Sequence, residues 1–309
     1  MNYNLKKNLN SINIYFLFLI SILAIINFFL EIPSEYKYFF CFLLIATVGV
    51  SHGAYDGKKG EKLFYNKFKN WRFIFYFTYF TLAIFVLIIW YISPLVALIT
   101  FLIVSSLHFG KEDLEIYLNK KYKHHLLIYF LKGSLIILLP LFFNFEKTNL
   151  IFNTILFSKN YVMLSNNNVK FILIINLSIQ ILFYLFIFLK KKLKRNDLIA
   201  IIFEIYLIVI TFYLFNPIVA FTLYFCFMHS LKNILHISNE LDPKLFKGLK
   251  IFLKQSLFLT LLTFFILFFC LLFLINFTFF ENVAEKIIFI GLACLTLPHI
   301  ILHYFSENY

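Results

Sequence analysis

The sequence predicts an all-α protein, a polytopic transmembrane helical bundle of about ten spans with both termini on the cytoplasmic side. Three observations lead there. Of 309 residues, 62% are hydrophobic and 14% are charged, against roughly 25% charged in a water-soluble domain. Apolar runs recur along the whole chain, several near the ~20 residues that cross a hydrocarbon core roughly 30 Å thick. The basic residues gather in alternate connections between those runs.

In chain order the apolar runs are 12–30, 36–51, 73–92, 95–109, 125–143, 169–189, 198–215, 218–236, 252–277 and 287–305. The first follows Lys6 and Lys7 and lacks a small-residue cleavage site after it, so it reads as a retained helix and not as a signal peptide. The fourth is short and either extends past Phe109 or lies tilted. The connection 144–168 is long, rich in Asn and poor in basic residues, which suits an external cap or a partly disordered crossing. Ahead of the ninth run, Asp242 followed by Pro243 is a helix-start signature. Lys244, Lys247, Lys250 and Lys254 then recur at helical spacing, as in an interfacial amphipathic helix leading into the span. A solvated basic loop is the plainer alternative. No internal repeat or linker divides the chain, so residues 1–309 read as a single integral membrane domain.

Charge fixes the predicted orientation. With the N-terminus inside, the connections 1–11, 52–72, 110–124, 190–197 and 237–254 carry 21 Lys and Arg, and the opposite side carries 4 (Lys37, Lys147, Lys159 and Lys286). Lys132, Lys170 and Lys232 fall within spans. This asymmetry is the positive-inside pattern of a multi-pass protein of the cell (inner) membrane, and one helix more or fewer in mid-chain would break it. The net charge of +13 therefore belongs to contacts with membrane lipids, and nucleic acid is excluded as a partner. Cys41, Cys226, Cys270 and Cys294 all lie in apolar runs without a C-x-x-C pair, and read as small buried residues. Phenylalanine occurs 45 times, so no single aromatic marks a ligand box.

The chemistry-bearing residues are histidines. His52, His108, His229 and His299 sit near the inner ends of spans 2, 4, 8 and 10, all of which run from outside to inside. His124, His125, His236 and His303 fall on the same side. Imidazoles are rare in bilayers without a task, and a set of them without cysteine favours a redox-capable metal, although zinc also accepts three histidines. An interfacial histidine capping a helix C-terminus is the bland reading of each one alone. Asp56, four residues after His52, and Asp113, five after His108, suit carboxylates behind metal-bound imidazoles or charge balance against Lys58, Lys59 and Lys111. Glu204 lies inside the seventh span and needs a polar partner there.

These residues carry a family resemblance. Gly49-Val50-Ser51-His52-Gly53-Ala54-Tyr55-Asp56 is similar to a G-x-x-HGALD-type motif. His108-Phe109-Gly110-Lys111-Glu112-Asp113 matches H-F-G-x-x-D, and Met228-His229-Ser230-Leu231-Lys232-Asn233 is similar to W-H-S-L-R-H. Pro298-His299 matches a late P-H. In this order and spacing the chain resembles the Brp/Blh family of membrane β-carotene 15,15′-dioxygenases over residues 49–303. The resemblance implies a non-haem Fe(2+) enzyme that splits β-carotene with O₂ into two molecules of retinal. It implies iron ligands at His52, His108 and His229, no catalytic residue beyond the metal site, and a microbial rhodopsin as receiver of the retinal.

The chain departs from the family at Asn233, where the motif has a second histidine. Residues i and i+4 of a helix share a face, so Asn233 marks either a weaker fourth ligand or an open position. Asp56, Asp113 and His299 are then supporting residues behind the ligands. His236, two helical turns from His229, reaches the same metal only from an unwound helix. Two other readings stay open at this level: a catalytically weak carotenoid- or retinoid-binding relative, and a proton-coupled transporter, which would have no need of iron.

Overall fold

The computed structural model describes residues 3–118, 125–158, 161–162 and 164–307, with side chains over 9–118, 126–158, 161–162 and 164–306. Lys120, Lys121, Lys123, His124 and Lys159, and the side chains of Lys6, Lys7 and His125, lie outside the described residues. Helices run in the order α1 Tyr3–Phe29, α2 Ser34–Leu44, α3 Asp56–Phe64, α4 Trp71–Ile92, α5 Pro94–Leu114, α6 His125–Phe143, α7 Phe145–Ile155, α8 Asn166–Leu189, α9 Arg195–Leu214, α10 Pro217–Leu223, α11 Leu231–Leu241, α12 Leu245–Leu274 and α13 Phe280–Glu307. A π-helical turn, Ile45–Gly49, and a 3₁₀ turn, Gly53–Tyr55, lie between α2 and α3, and a π-helical stretch, Tyr224–Ser230, joins α10 to α11. Among the described residues there is no strand, and ten helical segments are long and apolar enough to cross a membrane.

The local chemistry sets the helix starts. Ser165 accepts a hydrogen bond from the Asn168 amide (3.3 Å) at the head of α8, and Asn216 accepts one from Val219 (3.0 Å) just before Pro217 opens α10. Both satisfy amides that the first helical turn leaves unpaired. The predicted runs all reappear, with different ends. α5 does extend past Phe109, to Leu114. The basic stretch before the ninth run is helical but not a separate interfacial element: Lys244 precedes one continuous helix, α12, and Asp242 accepts from the Lys244 amide at 2.8 Å. The crossing 144–168 contains the helix α7, where the Thr148 hydroxyl meets the Pro140 carbonyl at 2.9 Å and closes the end of α6. Cys41, Cys226 and Cys294 are buried as predicted, while Cys270 is exposed on α12.

Close contacts divide the chain into two units. The first comprises Met1–Pro33, Leu102–Asn153 and Ser158–Lys232. In it α6 packs on α8 and α9, and α1 on α9 and the Tyr224–Ser230 stretch. The Asn176 and Gln180 amides of α8 donate to the Leu131 carbonyl of α6 at 3.1 and 3.2 Å, which gives polar groups at membrane depth the partners they require. The second comprises Ser34–Phe101, Thr154–Phe157 and Asn233–Tyr309. Here α13 packs on α2, α3, α4 and α12, and α12 also covers the Ile45–Gly49 and Gly53–Tyr55 turns.

Candidate metal centre

In the first unit the C-terminal end of α5 carries His108, Glu112 and Asp113. Its depth is set by a crossing of two glycines. A Cβ on Gly110 would lie 1.7 Å from the Tyr129 carbonyl oxygen, and one on Gly133 would lie 1.8 Å from that of Ser106. Only glycine lets the backbones of α5 and α6 approach this closely. His108 and Glu112 are four residues apart on one helical face, and His108 Nε2 lies 3.6 Å from Glu112 Oε2.

His229 reaches the same carboxylate from the π-helical stretch, its Nε2 3.1 Å from Glu112 Oε2. Its Nδ1 lies 3.5 Å from Asp113 Oδ1, and the Tyr224 hydroxyl donates to Asp113 Oδ2 at 2.8 Å. Tyr224 and His229 are five residues apart. In an α-helix they would point about 140° away from each other; i→i+5 winding brings them to one face, where both meet Asp113. The imidazole is fixed by aromatic rings, with Phe225 stacked on it (centroids 5.9 Å, 16°) and Phe109 edge-on (4.7 Å, 76°). Exposure of the His108, Glu112 and His229 side chains is 8, 8 and 1%.

This donor set fits a metal ion. His108, Glu112 and His229 each offer a ligand atom, and these atoms lie within 4.8 Å of one another. Bonds of about 2.1 Å at angles between about 90° and tetrahedral would separate neighbouring donors by about 3.0–3.4 Å; the observed 3.1 Å falls within that range and 3.6 Å just beyond it. Two imidazoles with one carboxylate is a set that suits non-haem Fe(II) in oxygenases.

The second unit brings together His52, Asp56 and His299. His52 lies at the turn after the Ile45–Gly49 π-helical segment, and its ring stands edge-on to that of His299 (5.5 Å, 87°). Asp56 Oδ2 accepts from Tyr79 at 3.1 Å and lies 2.7 Å from His299 Nδ1. Tyr55, which replaces the family leucine, packs on Phe252 of α12 (6.1 Å). His236 is half-exposed, 3.6 Å from Glu240, and Asn233 is partly buried at the start of α11. Of the lysines set against the carboxylates, Lys58 pairs with Glu61 at 2.7 Å.

Glu204 has partners: Lys232, the Tyr117 hydroxyl (2.7 Å) and the Asn13 amide (3.2 Å). Burial and then the Glu204 charge hold the Tyr117 phenol well above its ordinary range, so it stays a donor. Sequence reasoning missed Glu112 and Tyr224. Extending α5 by one turn reveals Glu112 through its four-residue spacing from His108, whereas the π winding that recruits Tyr224 has no sequence signal of its own.

A family model described as beta-carotene 15,15'-dioxygenase matches residues 43–306. A relative named beta-carotene 15,15'-dioxygenase, from uncultured marine bacterium 66A03, is 26% identical over 266 residues, which covers 84% of this chain and 90% of the relative. No solved structure matches.

Proposed function

Since the chain belongs to the beta-carotene 15,15'-dioxygenase family, we propose that it splits β-carotene at the central 15,15′ double bond with O₂, giving two molecules of all-trans-retinal. It is a carotenoid-cleaving dioxygenase. The observation that carries the chemistry is the convergence of His108, Glu112 and His229, all within family motifs, on a space sized for a metal ion. The family resemblance proposes His52, His108 and His229 as iron ligands, with Asn233 as a weak ligand or open position. Bound Fe(II) supplies the redox chemistry that lets O₂ react with an alkene.

The protein's own residues position and protect. Asp113 holds the His229 ring, with Tyr224 fixing that carboxylate from its other oxygen; such outer partners orient a ligand and raise its basicity. Asp56 does the same for His299. Phe109 and Phe225 keep water from the His229 face. In the second unit Phe42, Ile45, Ala46, Val50, Leu267 and Leu292, among others, line a narrow apolar crevice. Its apolar lining matches the chemistry of a polyene that arrives from lipid, which enters here only if these side chains move apart. The excess of Lys and Arg in alternate connections supports cytoplasmic termini in the cell membrane; a single integral domain and release of retinal to a microbial rhodopsin follow from the family resemblance.

Expression in a β-carotene-producing bacterium tests this reading. Retinal accumulates and colour fades with the wild type, and His108→Ala abolishes both. Good expression with bound β-carotene but no retinal would favour a carotenoid-binding relative, and a metal-free protein that transports protons would favour the carrier. Family membership favours the enzyme over the carrier.

A further inference from the structure

The geometry points to Glu112 as an anionic iron ligand that takes over the coordination which the family assigns to a histidine at position 233. This rests on the iron reading above. Position 233 holds Asn, whose amide oxygen is a far weaker donor than imidazole. Glu112 lies one helical turn beyond His108 on the same face, and its Oε2 lies 3.6 Å from His108 Nε2 and 3.1 Å from His229 Nε2.

The hydrogen-bond chemistry of His229 argues for a cation there. A neutral imidazole has one N–H. His229 has a carboxylate oxygen at each ring nitrogen, Asp113 at Nδ1 and Glu112 at Nε2. With the proton on Nδ1 facing Asp113, the Nε2 lone pair faces Glu112 Oε2, and two lone pairs at 3.1 Å repel. A metal ion receiving both lone pairs turns that repulsion into coordination, and the same ion accepts the His108 lone pair. Charge favours the same arrangement. A dication held by neutral donors alone leaves two positive charges at membrane depth, where each is costly. A carboxylate ligand halves that. A proton shared between the rings and Glu112 is the competing occupant, and metal binding separates the two.

The test is metal binding by the full-length protein in detergent, measured without turnover. Apo-protein is titrated with Co(II), following ligand-field absorption and bound metal by mass spectrometry, for wild type, Glu112→Gln, Asn233→His, the two combined, and His108→Ala. Glu112→Gln keeps size and hydrogen bonding but loses the charge and the strong donor. It should weaken Co(II) binding by on the order of 100-fold, at or beyond the top of the range for outer-shell partners, and change the absorption envelope. Asn233→His alone should leave affinity within about threefold, and added to Glu112→Gln should recover at least tenfold. Glu112→Asp, which keeps the charge, should bind more tightly than Glu112→Gln and guards against a folding defect. Wild-type affinity and spectrum in Glu112→Gln, with binding lost in His108→Ala, would overturn the role of Glu112 and leave the iron reading intact. No binding by the wild type, or full binding by His108→Ala, would overturn the iron reading and this inference with it.

Discussion

The ion pair between Lys232 and Glu204 is the clearest place to measure what positions the eighth span. Lys232 lies three residues after His229 in the same motif. Its ammonium is 4% exposed, Glu204 is fully buried, and their charged atoms are 2.5 Å apart. Removing one partner of a buried pair typically costs about 3–5 kcal/mol, because the other charge stays behind without compensation. Lys232→Met leaves Glu204 with the Tyr117 and Asn13 donors, so its cost should fall near the lower end, about 3 kcal/mol. Glu204→Gln leaves the ammonium without its hydrogen-bonded carboxylate and should cost about 4 kcal/mol. The double variant Lys232→Met/Glu204→Gln removes both charges together with their desolvation penalty. It should lie within about 2 kcal/mol of the wild type, since neutral replacement of a buried pair is often nearly free.

The measurement is a double-mutant cycle on reversible unfolding in mixed micelles, which applies where the transition is two-state. The single costs sum to about 7 kcal/mol, so a double cost near 2 corresponds to a coupling of about 5 kcal/mol. Additivity of the two single effects within about 0.5 kcal/mol would show that the charges do not sense each other, and would refute the account of Lys232 as the clasp of this span.

Two further substitutions probe other parts of the site. Gly110→Ala places a methyl 1.7 Å from the Tyr129 carbonyl, so α5 and α6 must separate by more than an ångström; we expect a loss of 3 kcal/mol or more, by analogy with overpacked cores that lose about 1–3, together with weaker Co(II) binding because His108 and Glu112 move with α5. A stable protein with unchanged metal affinity would mean that the crossing does not set their depth. Gly291→Ala, whose Cβ would lie 3.2 Å from Leu267, narrows the apolar crevice and should raise the KM for β-carotene several-fold while leaving bound metal unchanged; unchanged KM would remove the crevice from the substrate path.

The ten spans were legible because hydropathy sums over some twenty residues, and local errors cancel across that length. The ends were not. Gly110, Lys111, Glu112 and Asp113 look like a loop after an apolar run, yet α5 continues through them. Gly110 is held against α6, and Asp113 is paired by Tyr224 and His229, so tertiary contacts override a weak local preference. The α7 segment was hidden for the opposite reason: its Thr148 and Asn149 are polar in composition but buried. Both π-helical segments, Ile45–Gly49 and Tyr224–Ser230, are apolar runs indistinguishable in pattern from α-helix. The carboxylate at 112 and the tyrosine at 224 lay behind these two failures, while the histidines stood out because imidazole is scarce in apolar spans.

The motifs do not work as their spacing first suggests. Asp56 follows His52 by four residues, and Asp113 follows His108 by five, which invites a pairing within each motif. In the second unit, however, Asp56 clasps His299 and is fixed by Tyr79. In the first, Asp113 lies on His229 and is fixed by Tyr224. Each unit thus holds a tyrosine, an aspartate and a histidine in series, with the histidine drawn from another motif far along the chain. A carboxylate on Nδ1 selects the tautomer whose Nε2 lone pair is free to bind a cation. In the first unit His229 Nε2 then faces the same Glu112 oxygen as His108. One short motif alone therefore supplies an imidazole without the partner that orients it. The chemistry becomes possible only when the helices carrying the other motifs are packed beside it.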